Sequence, residues 1–401
     1  MTIAGGIRAA RARGGERIAL EAGAEQRTYG QLVDRIDRIS SVARAHYRLE
    51  PGDRVALIAP NRIDYVELVA GFADAGIIVA TLNPRLAGPE LAAIIADCTP
   101  RLVLIDDAVA QKIASSLEGG IPLVWLDRDF AGLVEQAKPL VSVPLAEQSP
   151  FALAYTSGTT GQPKGVLLSH RSRALTFQSM AAEYRCFGVD DRFLSVTPMC
   201  HGAGFVFACA ALFYGGTTVL FDGGDPEALL RRITAGDVTG VFMVPTHFAR
   251  LYDLPQPMLD RHRDHNLATI ISNAAALPQA AKARTVDHFG AGLLHETYGS
   301  TEGGIVTNIR PGDILRKPGS VGHPFPLMEV ELRRPDGTIA DPGEHGELFC
   351  RGPTLFNGYW NRRDATQEAL VDGWVTVGDI GSRDDEGFIT IMDRKKDMVV
   401  T

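Results

Sequence analysis

The stretch "YTSGTTGQPKGVLLSH", residues 155–170, decides how the rest of the chain is read. Between positions 156 and 160 it sets the hydroxyls of Thr156, Ser157, Thr159 and Thr160 around Gly158, and Gly161, Pro163, Lys164 and Gly165 follow. Backbone N–H groups in a glycine-rich turn converge on an anion, hydroxyls add donors, and Lys164 adds a point charge. The pattern predicts a loop that wraps phosphate. It is not the G-x-x-x-x-G-K-[ST] loop, because counting from Gly158 puts Pro163 where the second glycine belongs, and it is not G-x-G-x-x-G. The preceding "AEQSPFALAYTSG" reads as a strand that delivers the loop.

Outward from this point the chain alternates strand-like and helix-like patterns. "DRVALIAP", "RLVLID" and "PLVWLD" before the loop, and "DRFLSVTPM", "GTTVLF", "GVFMVP" and "LATIISNAA" after it, are short apolar runs. Helical stretches separate them; in "TYGQLVDRIDRISSVARAHY" the residues Leu32, Ile36, Ile39 and Val42 share one stripe. Strands alternating with helices predict an α/β fold with two doubly wound, mostly parallel sheets flanked by helices. From about residue 316 the texture turns to Gly, Pro and Asp–Gly turns between short alternating runs, which predicts an antiparallel region, a small β-barrel subdomain. The expected segments are an α/β subdomain over 1–150, a second over 151–315 with the phosphate loop and the site, the barrel over 316–392, and a terminal motif over 393–401.

The composition narrows the function classes. The chain has 401 residues with 45% hydrophobic and 22% charged, ordinary for a globular protein of more than one core. Its net charge is −8 and no basic run stands out, which argues against a nucleic-acid partner; a polyanionic ligand must be met by local cations and a metal. The five cysteines are scattered without CxxC spacing, as expected of reduced thiols in a cytoplasmic protein. Cys200 beside His201 is not taken as a nucleophile and its base, since neighbours on a strand point to opposite faces. "HRDH" at 262–265 reads as surface rather than metal site. The N-terminus lacks the apolar stretch of a signal peptide, and no run is long enough for a membrane span.

Three further stretches carry chemistry. "HETYGSTEGG" (295–304) offers Tyr298 to stack on a flat base, Thr301 to donate to a phosphate oxygen, and Glu302 as a hard oxygen ligand for Mg²⁺. "DGWVTVGDIG" (372–381) places Asp379 to accept from ribose hydroxyls. "DRKKDMVV" (393–400) is a charge run that alone would be a solvated strand end.

Taken together and in this order, these motifs and "GELFCRGPTLFNGYW" (346–360) resemble the adenylate-forming, AMP-binding acyl-CoA synthetases over nearly the whole chain. The resemblance implies an ATP-dependent ligase that joins a carboxylic acid to AMP and passes the acyl group to CoA, with ATP, Mg²⁺ and coenzyme A as cofactors and co-substrates. It implies that Thr156, Ser157, Gly158, Thr159, Thr160, Gly161 and Lys164 hold the β- and γ-phosphates. Tyr298 and Gly299 would lie at the adenine, with the backbone of Asn273, Ala274 and Ala275 at the purine edge. Thr301 would contact the α-phosphate, Glu302 and Thr160 would hold the metal, and Asp379 and Arg394 the ribose. His201 would stand beside the acyl carboxylate, where the thiol arrives.

Substrate contacts are expected from His201, Ala203, Phe205, Thr246, His247, Asn273, Gly299, Gly303 and Gly304, with Phe207, Met243 and Phe248 also offering apolar contact in the pocket walls. These walls hold no lysine or arginine, so an uncharged fatty or aromatic tail is expected. Asn273 stands where the family commonly has glycine, and asparagine tolerates positive φ better than other side chains. Lys396 matches the hinge to a small C-terminal domain; the chain stops just beyond it, so the resemblance implies weak activity for the chain as given. A carrier-protein thiol in place of CoA, and a non-catalytic nucleotide- or acyl-binding module, are the alternatives. The oligomeric state is left open.

Overall fold

The computed structural model describes residues 1–117, 120–140, 144–156 and 163–394. Two sheets carry the fold, with helices packed on and between them. In the smaller sheet the neighbours run Gly358–Tyr359, Lys164–Ser169, Pro150–Thr156, Ile78–Leu82, Arg54–Ile58, Leu102–Ile105 and Leu123–Trp125. From Pro150–Thr156 onward the pairings are parallel; Lys164–Ser169 returns antiparallel and Gly358–Tyr359 adds an antiparallel edge. Arg54–Ile58 and Leu102–Ile105 are almost wholly buried and rich in Val, Leu and Ile, as strands covered on both faces must be.

The larger sheet is built on a parallel run: Ile18–Ala22, Thr217–Leu220, Arg192–Ser195, Gly240–Met243, Thr269–Ser272 and Leu294–Ser300. Gly304–Ile309 turns back antiparallel, and Ser320–Pro324 links this run to an antiparallel region. There, His345–Arg351 pairs with Glu329–Arg333 and with Asp379–Arg383, and Asp379–Arg383 pairs with Ile389–Arg394. The expected antiparallel texture is present, but the pairings among the described residues run as an open extension of the large sheet and do not close a barrel. Sheet membership also ignores order along the chain, since residues 18–28 belong to the large sheet while 54–125, 150–169 and 358–359 build the small one.

Local signals place the helices. Thr28 caps Tyr29–Ser41 with a reciprocal capping box to Gln31, and the stripe Leu32, Ile36, Ile39 and Val42 is buried as expected. The helix Ile3–Arg11 packs on Tyr29–Ser41, Tyr65–Asp74 and Gly202–Tyr214. It thereby joins helices that follow strands of both sheets. One continuous apolar core runs from Val55 and Leu57 of the small sheet to Phe242 and Ile271 of the large one. All five cysteines are buried free thiols, and burial pushes the Cys200 thiol up to about 11, which leaves it protonated and unreactive at neutral pH. Among the described residues no helix is long and apolar enough to cross a membrane.

Candidate functional site

The parallel run of the large sheet gathers the candidate residues. Arg192–Ser195, Gly240–Met243, Thr269–Ser272 and Leu294–Ser300 are consecutive neighbours. The segments beyond their carboxyl ends hold His201, then Thr246 and His247, then Asn273–Ala275, then Thr301 and Glu302. Open α/β sheets bind ligands at this end of their strands. His201 is the N-cap residue of the helix Gly202–Tyr214 and its ring is reached by solvent. Desolvation by its surroundings, and then the charge of Arg85, lower its imidazole pKa, which favours the neutral ring. Arg85 is exposed, and it lies outside every stretch the sequence singled out. His247 accepts through Nδ1 from the Val244 N–H at 3.3 Å, with Thr246 exposed beside it. Of the apolar residues expected here, Ala203 is half-buried and Phe205 nearly buried. Phe207, Met243 and Phe248 lie in the core at 0–1% exposure, Phe207 stacked on Phe242, so they back the wall without forming its surface.

Asn273 does not take the left-handed conformation. The positive φ, +78°, falls on Ala274. The Asn273 amide instead donates to Thr297 Oγ1 at 2.5 Å, and its carbonyl accepts from the Ala274 N–H. The side chain is thus occupied in shaping its own turn, which corrects the expectation of an asparagine at positive φ. Ala274 and Ala275 remain exposed. The turn is anchored further by Glu296, which accepts from the Leu277 N–H at 2.6 Å and forms a buried ion pair with Lys282.

The bend at 298–304 requires its glycines. The pairing of Leu294–Ser300 with Gly304–Ile309 shifts register between Tyr298 and Gly299. A Cβ on Gly299 would stand 2.0 Å from the Gly304 carbonyl oxygen, and Gly304 itself has φ +75°. Such bulges re-aim side chains beside functional sites. Gly303 donates to Ser300 Oγ at 2.9 Å and accepts from Thr354 at 3.3 Å. The Tyr298 hydroxyl donates to Asp379, itself 6% exposed, so the candidate base-stacking ring and the candidate ribose carboxylate form one unit. Asp379 sits opposite Arg394 in the strand pair.

One residue ties the phosphate loop to the Glu302 turn. Lys164 opens the return strand opposite Thr156, so the phosphate motif is flanked by two antiparallel strands. On the other side of that strand lies Gly358–Tyr359, with Tyr359 opposite Val166. The Lys164 ammonium sits 5.2 Å from the centre of the Tyr359 ring, and the Tyr359 hydroxyl donates to Glu302 Oε1 at 2.7 Å. The Phe356 N–H also donates to the Glu302 carbonyl at 2.8 Å. Burial and the Glu302 charge raise the Tyr359 phenol far above its usual range, so it is a fixed donor. Behind it, Asp97 accepts from Tyr155 and Arg362, each at 2.7 Å, and holds the two motif ends together. Tyr359 is the functional residue that sequence reasoning missed; the motif "FNGYW" was its only signal. Ser157, Gly158, Thr159, Thr160, Gly161 and Lys396 lie outside the described residues, as does the side chain of Arg394.

Glu302 is 7% exposed and its side-chain partner among the described residues is a neutral hydroxyl. A buried carboxylate met only by a neutral donor suits an incoming cation. Among the described residues no cluster of His, Cys, Asp and Glu could hold a metal alone, so a cation at Glu302 would need further ligands from outside that set. His262 Nδ1 lies 3.1 Å from the Thr234 hydroxyl and His265 Nε2 lies 2.9 Å from the Phe289 carbonyl.

The family pattern described as AMP-binding enzyme matches residues 7–360. The chain belongs to the AMP-binding enzyme family. Among curated AMP-binding relatives, a feruloyl-CoA synthase of an Amycolatopsis species is 32% identical over 390 residues, covering 96% of this chain and 76% of the relative. An indoleacetate–CoA ligase of Aromatoleum aromaticum is 30% identical over 386 residues, covering 93% and 74%. Among solved structures, ATP-bound MatB from Rhodopseudomonas palustris superposes with a TM-score of 0.89 at 27% identity, covering 100% of this chain and 80% of that one. The inhibitor-bound N-terminal domain of FACL13 from Mycobacterium tuberculosis reaches 0.91 at 28% identity, covering 98% and 99%.

Proposed function

We propose that this AMP-binding enzyme is an ATP-dependent acyl-CoA ligase for a carboxylic acid with an uncharged, aromatic or fatty tail. The observation that carries the proposal is the contact chain Lys164–Tyr359–Glu302, which sets the phosphate-loop cation over the ring, and the candidate metal ligand at the hydroxyl, of one side chain. The chemical problem is electrostatic. An anionic carboxylate must attack an anionic α-phosphate and pyrophosphate must leave, so positioning and charge neutralisation carry most of the rate. Lys164 supplies a point charge to the β- and γ-phosphates. Tyr298 presents its ring to the base while its hydroxyl keeps Asp379 oriented toward the ribose. Glu302 would hold Mg²⁺, which would supply positive charge to offset that of the phosphates. His201, held neutral, can hydrogen-bond the reacting carboxylate without drawing it into an ion pair.

The tail follows from the accessible wall. His201, Ala203, Thr246, His247 and the 273–276 turn present neutral groups, while the cation Arg85 is solvent-exposed. A second carboxylate on the substrate would be desolvated without a partner, which costs several kcal/mol. The relatives named for feruloyl and indoleacetate substrates support the aromatic side of this class. The test is acid-dependent exchange of pyrophosphate into ATP across a panel of aromatic, fatty and dicarboxylic acids, followed by thioester formation with CoA and with a holo carrier protein. Exchange is expected with uncharged acids at rates at least tenfold above dicarboxylates, and the thioester with CoA. Preference for a dicarboxylate would refute the substrate class, and absence of exchange with every acid would refute the ligase.

A further inference from the structure

Arg173, near the start of the helix His170–Tyr184, is 4% exposed and forms no ion pair among the described residues. Its Nη2 donates to the Thr301 carbonyl at 3.2 Å, its Nη1 reaches Thr176 Oγ1 at 3.5 Å, and its buried Nε has no partner. A Cβ built on Gly304 would lie 3.5 Å from Nη1, so the guanidinium sits directly behind the 301–304 turn. Burial lowers its pKa only to about 10, with no carboxylate close enough to offset the effect, so it stays charged at neutral pH. Three costs fall on one side chain: a desolvated charge, an orphaned donor, and a cation in the first turn of a helix, where the dipole already points its positive end. The two bonds are to neutral acceptors, and no carboxylate among the described residues pairs with the charge.

We propose that Arg173 is a positioning residue for the phosphate of a bound adenine nucleotide: it fixes the Thr301 peptide from behind and supplies a buried positive charge that an anion in front of the turn completes. This rests on the nucleotide site proposed above. The guanidinium does not touch the phosphate. It acts through Thr301 and through the field of an unscreened charge in a low-dielectric wall. The ligand it discriminates for is therefore the phosphate, not the base.

The test compares AMP with adenosine, which lacks the phosphate, on the chain itself and on Arg173→Met, Arg173→Gln and Arg173→Lys, by calorimetric titration and thermal melting. In Arg173→Met and Arg173→Gln, AMP is expected to bind about tenfold more weakly while adenosine affinity is unchanged. Arg173→Lys is expected to keep most of the AMP affinity. Without ligand, the two neutral variants are expected to melt no lower than the unsubstituted chain. Equal losses for AMP and adenosine, no loss for either, or failure of both neutral variants to fold would each overturn the proposal, because each makes Arg173 a structural residue or an irrelevant one. If the unsubstituted chain binds neither compound, the nucleotide site itself is refuted, a different failure from the loss of phosphate discrimination.

Discussion

Replacing Tyr359 with phenylalanine removes one oxygen atom and separates the two jobs of this side chain. The ring that carries Lys164 at 5.2 Å remains, while the 2.7 Å bond to Glu302 is lost. Glu302 is 7% exposed, so bulk water cannot freely replace the missing donor. Hydrogen bonds to charged groups contribute roughly 1.5–3 kcal/mol, and a buried acceptor left unsatisfied forfeits most of that. At about 1.4 kcal/mol per factor of ten, misorientation of the carboxylate corresponds to about a tenfold to hundredfold change in any step that uses it. The expected outcome for Tyr359→Phe is a drop of about 2 kcal/mol in unfolding free energy, read from the urea midpoint. Half-maximal Mg²⁺ in acid-dependent pyrophosphate exchange is expected to rise about tenfold. Tyr359→Leu removes the ring as well and should weaken ATP binding by a further 0.5–1 kcal/mol or about threefold, the size of a half-exposed cation–π contact. If Tyr359→Phe matches the unsubstituted chain in both assays, or if the phenylalanine and leucine variants are indistinguishable, Tyr359 does not link the loop to the metal ligand.

Acid should destabilise the fold through buried histidines. Burial pushes His170 and His295 down to about 4 in the folded chain, whereas the unfolded chain takes up these protons near 6.5. The unfolded state therefore binds more protons between these values; the stability is complete above 6.5 and falls as the pH drops toward 4. Urea midpoints at pH 7 and 5 should show the fall, and His295→Gln should reduce it; an unchanged slope in that variant would remove His295 as a cause. Gly299→Ala should be severely destabilising, because the new Cβ meets backbone 2.0 Å away, and the loss should exceed about 3 kcal/mol. A loss below about 1 kcal/mol would mean that the 298–304 turn is loosely held.

Much of the local structure was legible in the residues. Leu32, Ile36, Ile39 and Val42 announce a helix with one buried stripe, because periodicity acts over one or two turns. The strand runs around residues 54, 102, 123, 192, 217, 240 and 269 announced themselves by continuous apolar character. What went astray depended on neighbours distant in sequence. Positive φ was expected at Asn273 and falls on Ala274, because the asparagine amide is drawn to Thr297 on the next strand. Phe207, Met243 and Phe248 looked like pocket wall because apolar composition does not distinguish a residue facing a cavity from one facing Phe242.

The sequence by itself determined the family and the alternation of strands and helices, and it marked the candidate segments for phosphate, base and ribose contacts, since these reside in contiguous motifs whose residue types set their own backbone preferences. Only the tertiary structure decided that the described antiparallel strands extend the large sheet, that Tyr359 bridges Lys164 and Glu302, and that Arg173 stands behind Thr301 without an ion pair among the described residues. The physical reason is range. Conformational preference is paid for within a few residues, whereas the burial and partner of a charge depend on which strands lie side by side, and 138 positions separate Lys164 from Glu302 until Gly358–Tyr359 closes the gap.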